Sequence, residues 1–127
     1  MTLYINLYAV LRKSWSSSTA YKSCQSEWVS EDPSYGQCAI TATLVYDMFG
    51  GSIHRIRVEG GGTHYFNKIT GQYVDLTREQ FDLYNIEVAY EPNETMQREY
   101  CCKNSDTNAR YRQLQRNIIA YLKNNED

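Results

Sequence analysis

The sequence predicts an α+β domain: helices first, then a small antiparallel sheet, then one closing helix. Three observations predict it. Apolar residues recur at helical spacing near both ends of the chain. Between them, three short segments are separated by the glycine-bearing turns Gly60-Gly61-Gly62 and Thr70-Gly71. The stretch Cys38–Phe49 is apolar on most sides, the pattern of a buried helix, and stops at Gly50-Gly51.

Each element follows in order. Leu3, Leu7, Val10 and Leu11 form one stripe of an amphipathic helix over residues 3–12, ended by the serine-rich run from Ser14. Residues 20–36 are polar and irregular, with Pro33 and Gly36 marking a turn. Ser34 and Gln37 carry capping-box spacing at the start of the central helix. Three strands are expected at 52–58, 64–69 and 72–76, with His54, Ile56 and Val58 on one face of the first. Thr77 and Gln80 have the spacing of a second cap, opening a short helix with Phe81 and Tyr84 facing inward. Ile86–Tyr90 reads as a short strand stopped by Pro92. Tyr111, Leu114, Ile118, Tyr121 and Leu122 stripe a last helix over 107–124.

The bulk numbers bound the function. At 127 residues the chain suits one domain, 1–127, able to hold a core without disulfides or metal. Basic residues number 13 and acidic residues 15, with no basic block, which disfavours a nucleic-acid partner. No apolar run is long enough for a membrane span, so no membrane partner is expected. The N-terminus lacks a basic region ahead of its apolar stretch, and Asn6 interrupts that stretch, so it does not read as a signal peptide. A cytoplasmic location is the default expectation. Cys24, Cys38, Cys101 and Cys102 show no C-x2-C spacing, and no metal or cofactor is expected. Tyrosine is over-represented, with 12 copies against 3 Phe and 2 Trp, and it suits a core rim or a cleft.

Cys38 opens the predicted buried helix. Unpaired N–H groups and the helix dipole at that end favour thiolate, the nucleophilic form. His64 begins a strand after a glycine turn, where an imidazole can take the thiol proton. If Thr70-Gly71 forms the hairpin turn, Phe66 opposes Asp75, and His64 lies within diagonal reach of that carboxylate. Asp75 is then the residue that orients the imidazole. Asn67 is a rival orienter, but its spacing puts it on the other face. His54 shares its face with Ile56 and Val58 and reads as a packed sheet histidine. The Cys38 backbone N–H is a candidate oxyanion donor, with Gln37 or the Trp15-Ser16-Ser17 loop as the second.

Ser14-Trp15-Ser16, Gly36-Gln37-Cys38-Ala39-Ile40-Thr41-Ala42, Phe49-Gly50-Gly51, His64-Tyr65-Phe66-Asn67 and Asp75-Leu76-Thr77-Arg78-Glu79-Gln80-Phe81 occur in that order. This resembles the YunG-like family of small, uncharacterised bacterial proteins. The match covers roughly residues 5–85 and extends less clearly through the last helix. More distantly, cysteine on a helix, histidine on a strand and a polar residue on the next strand resemble the papain-like architecture, which includes NlpC-type peptidases and transglutaminase-like proteins. That likeness implies a papain-like cysteine hydrolase fold, a buried central helix on a small antiparallel sheet. In it Cys38 is nucleophile, His64 base and Asp75 orienter. Papain-type enzymes place a glutamine several residues before the cysteine, whereas this chain has Asp32-Pro33-Ser34-Tyr35 there and Gln37 adjacent. The expected function is cysteine-dependent acyl transfer on an amide bond, of peptidase, amidase or deamidase type, with a peptide or small molecule as substrate. Gln37, Trp15 and Ser16 are its expected ligand-binding residues. The alternative is a non-catalytic peptide- or small-ligand-binding module.

Overall fold

Gly50 and Gly51, both at φ 77°, turn the chain out of the central helix and into the first strand. A Cβ on Gly51 would lie 2.3 Å from the Lys68 carbonyl oxygen, so only glycine fits that crossing. The computed structural model describes residues 2–58, 62–101 and 103–125, and for residues 2–5 the backbone alone. The side chain of Leu3, the glycines Gly60 and Gly61, Cys102 and the acidic end of the tail lie outside the described residues.

Helix α1 spans Thr2–Ser14, α2 Cys38–Phe49 and α5 Ser105–Asn124. Strands β1 (Ser52–Val58), β2 (Gly62–Ile69), β3 (Gln72–Val74) and β4 (Glu94–Met96) form one antiparallel sheet in the order β3-β2-β1-β4. A 3-10 helix at Lys22–Glu27 and the four-residue helices α3 (Glu79–Asp82) and α4 (Arg98–Cys101) complete the order. The chain is therefore α+β with a small antiparallel sheet. Among the described residues no helix is long and apolar enough to cross a membrane.

The two sheet faces are covered differently. On one, Leu7, Leu11 and Trp15 of the first helical region meet Ile40, Leu44 and Val45 of α2 and Tyr111 and Leu114 of α5, over Ile69. Burying each such aliphatic side chain contributes roughly 1.5–3 kcal/mol. On the other face, Ile56, Val58, Phe66 and Phe81 gather with Tyr73, Ile86, Val88 and Tyr90.

The β2–β3 hairpin has the register that its turn predicts. Thr70 (φ 47°) and Gly71 (φ 80°) both take positive φ, as a tight hairpin turn requires. Ile69 pairs Gln72 and Asn67 pairs Val74. β3 ends at Val74, so on this side β2 has no strand partner from Phe66 back to Gly62 among the described residues.

Several expectations are corrected. Ile86–Tyr90 is not a strand, and the fourth strand is Glu94–Met96, beyond Pro92. The alternation of Ile86, Val88 and Tyr90 comes from burying one side against the Phe66–Phe81 cluster without backbone pairing. β3 stops short of Leu76, because the chain turns at Asp75. Tyr84 is 63% exposed rather than inward, since the short α3 has already ended. Leu122 is exposed too, because the contacts of α5 with the core fade after Ile118.

The capping box at Gln37 does not form. Ser34 Oγ instead accepts the Gln80 backbone N–H at 3.0 Å and donates to the Thr77 carbonyl at 3.3 Å. The hydroxyl before α2 thus holds the start of α3. Thr77 does not cap that helix through its own hydroxyl, which turns to Asp75, while the Gln80 side chain donates to the Thr77 carbonyl.

Candidate functional site

Cys38 is the first residue of α2 and is half-buried. Among the described residues no side chain caps this helix end, so its first-turn N–H groups are open to a negative charge. The cysteine lies at the margin where β2 has outrun β3. Its Sγ is 4.0 Å from the Thr63 carbonyl oxygen, at the limit for a sulfur donor.

His64 and Asp75 are brought together on the sheet face opposite α2. The Nε2 of His64 lies 2.7 Å from Asp75 Oδ2. The ring is fully buried, 4.7 Å from Phe81 in an edge-to-face contact and stacked at 6.2 Å on Phe66. Two aromatic walls and one carboxylate therefore fix its orientation. Its other nitrogen, Nδ1, is buried and makes no close hydrogen bond among the described residues. Burial opposes the imidazolium, but the hydrogen bond to Asp75 and the proximity of Cys38 outweigh it and hold His64 up to about 9. The sulfur is thus electrically coupled to the ring.

Asp75 is gripped at both oxygens. Its Oδ1 accepts the Thr77 backbone N–H at 3.3 Å and the Thr77 hydroxyl at 3.4 Å, an Asx-type turn just past the end of β3. Its Oδ2 accepts the Tyr90 hydroxyl at 2.8 Å as well as the imidazole. Tyr90 and Thr77 have no sequence signal for this role. Tyr90 sits 15 residues after Asp75 in an irregular segment, where only the general excess of tyrosine hints at anything.

The other expected site residues lie elsewhere. Gln37 is fully buried, with Nε2 donating to the Ser16 carbonyl at 3.1 Å and Oε1 accepting the Thr19 hydroxyl at 2.8 Å. Trp15 is 3% exposed and its Nε1 donates to Thr41 Oγ1 at 3.0 Å, inside the helical core. Ser16 is half-buried, with its hydroxyl 2.8 Å from that of Ser18. Gln37 and Ser16 brace the loop beside the cysteine, and neither Gln37 nor Trp15 presents an exposed polar atom to a ligand. Asn67 points to the α2 face, where its amide donates to the Ala42 carbonyl at 2.9 Å. His54 stacks on Phe66 and is held between Ser52 Oγ at 2.7 Å and Asn93 Oδ1 at 2.8 Å.

A groove of about 980 Å3 runs along β3 and α3, lined by Tyr8, Tyr73, Val74, Arg78 and Glu79 among others. It reaches Asp75, but its lining includes neither Cys38 nor His64. Among the described residues no group of three or more His, Cys, Asp or Glu converges as a metal site.

A family model described as YunG protein matches residues 4–123 of the chain. The chain is 42% identical over 72 residues to "Uncharacterized protein YunG" of Bacillus subtilis (strain 168). That alignment spans 57% of this chain and 57% of the relative. No solved structure matches the chain.

Proposed function

The chain belongs to the YunG family, and for this member we propose a cysteine-dependent acyl-transfer hydrolase acting on an amide bond. The observation that carries the reading is the His64–Asp75 bond of 2.7 Å, with the ring raised to about 9 by Asp75 and Cys38 together against its burial. A buried imidazole is raised in this way only where neighbouring groups favour its charged form, and Asp75 and Cys38 are the neighbours that do so here.

The reaction runs through this chain's own groups. Nδ1 of His64 takes the Cys38 thiol proton, leaving a thiolate at the helix N-terminus. Sulfur attacks the amide carbonyl carbon, and the carbonyl π pair moves to oxygen. The Cys38 backbone N–H is the oxyanion donor of this reading. Collapse of the tetrahedral species breaks the C–N bond, and the imidazolium gives its proton to the departing nitrogen. A thioester remains. Water, deprotonated by His64, or an amine resolves it and returns the thiol. Asp75 fixes the imidazole through Nε2 and stabilises its charge throughout. Peptidase, amidase and deamidase outcomes share this sequence. The order of cysteine at a helix start, histidine on a strand and aspartate just after the next strand supports a papain-like arrangement.

A second reading is a non-catalytic peptide- or small-ligand-binding module. The groove along β3 and α3, which is not lined by the cysteine, favours it.

Alkylation of Cys38 as a function of pH tests the first reading against the second. The hydrolase predicts rapid reaction with iodoacetamide below pH 7, slowed roughly tenfold or more in His64→Ala. Reactivity that tracks a free thiol with its pKa near 8.5, indifferent to His64→Ala, sinks the hydrolase and leaves the binding module.

A further inference from the structure

We propose that Tyr90 is a positioning residue of this site: its hydroxyl shares Asp75 Oδ2 with the His64 ring and sets how strongly that carboxylate pulls on the imidazole. The inference rests on the Cys38–His64–Asp75 reading and deepens it.

Two donors meet on one oxygen, the Tyr90 hydroxyl at 2.8 Å and His64 Nε2 at 2.7 Å. A carboxylate oxygen that accepts two donors divides its charge between them. The hydroxyl is fixed from behind, because the Arg78 guanidinium donates to it at 3.1 Å. The Tyr90 ring is fixed as well, 4.8 Å from Phe66 and 5.5 Å from Tyr73. Burial and the Asp75 charge both push the Tyr90 phenol well above its usual range, so it stays a proton donor at any working pH. Among the described residues the charged and titratable groups that bear on His64 are then Asp75, Cys38 of α2 and Tyr90, with Arg78 behind Tyr90. Tyr90 tempers the base. An imidazole held too tightly as imidazolium is slow to return its proton to a leaving amine, and the shared oxygen weakens that hold. The irregular segment carrying Tyr90 is on this account part of the site as well as a cover for the sheet.

The full chain has two histidines, which makes an NMR titration of His64 direct once His54 is assigned. Tyr90→Phe keeps the ring against Phe66 and Tyr73 and removes only the hydroxyl. The His64 midpoint is expected to rise by about one unit, the scale of one hydrogen bond to a charged group. In an Asp75→Asn background the same substitution is expected to leave the midpoint where it was. Replacement of Tyr90 by 3-fluorotyrosine, which keeps the fold and strengthens the donor, is expected to move the midpoint down. An unchanged or lowered midpoint in Tyr90→Phe overturns the proposal, as does an equal shift with and without the Asp75 carboxylate. The hydrolase reading stands or falls separately, on whether His64→Ala slows the alkylation of Cys38.

Discussion

Ser34 donates its hydroxyl to the Thr77 carbonyl at 3.3 Å and so ties the loop that delivers Cys38 to the turn that holds Asp75. The same oxygen accepts the Gln80 N–H at 3.0 Å, and the residue is fully buried. Ser34→Ala leaves a buried carbonyl and a buried amide without this partner. The expected loss is about 2 kcal/mol, read as a lower urea midpoint with an unchanged slope. Wild-type stability in that variant would show that the tie contributes nothing.

Gln37 is an internal brace, and its substitution separates bracing from chemistry. Gln37→Ala takes one partner each from Thr19 Oγ1 and the Ser16 carbonyl, which keep their bond to each other, and opens a small void beneath α2. A loss of roughly 3 kcal/mol is expected in urea unfolding. Alkylation of Cys38 in the still-folded variant is expected to keep its wild-type pH dependence. A large change in that profile at little cost in stability would instead make Gln37 part of the reacting centre.

The Gly50-Gly51 pair separates conformational strain from collision. Both residues sit at φ 77°, but a Cβ at Gly50 meets nothing within 4 Å, while at Gly51 it meets the Lys68 carbonyl oxygen. Gly50→Ala is expected to lose about 1–3 kcal/mol from backbone strain alone. Gly51→Ala adds a backbone clash and is expected to lose more, to the point of failing to accumulate as soluble protein. Equal thermal midpoints for the two would contradict the close approach of Gly51 to the Lys68 carbonyl.

His64 links stability to pH. Its folded value of about 9 lies above the unfolded value near 6.5. The imidazolium therefore stabilises the fold fully below pH 6.5, and that contribution is lost as pH rises toward 9. The whole of it is on the order of 3 kcal/mol. Urea unfolding at pH 6 and pH 9.5 should show wild type losing more stability over that interval than His64→Gln. Parallel pH dependences would mean that folding leaves the ring's pKa unshifted.

What the sequence made legible follows from local chemistry. Thr70-Gly71 is a strong turn signal and a hairpin turn pins register, which the ladder keeps as far as Asn67 and Val74; Asp75 lies one residue past its end and meets His64 by a side-chain bond rather than as the strand partner of Phe66. Helix α2 was legible because Cys38–Phe49 is apolar almost all round. Ser34 was misread because a serine three residues before a glutamine fits a local cap as well as it fits a partner 43 residues away. Trp15 and Gln37 were read toward a cleft because an amphipathic side chain beside a cysteine gives no sign of which way it turns. β4 was invisible: Glu94-Thr95-Met96 has no buried face pattern and exists only because the edge of β1 is free to pair. Tyr90 was hidden in an alternation that looked like a strand.

The proposed chemistry depends on a cationic imidazole between a sulfur and a carboxylate, and an NMR titration of the His64 ring measures it directly. The account predicts a midpoint near 9 in wild type, lowered both by Cys38→Ala and by Asp75→Asn. A midpoint at or below the ordinary histidine value, unmoved by either substitution, would contradict it.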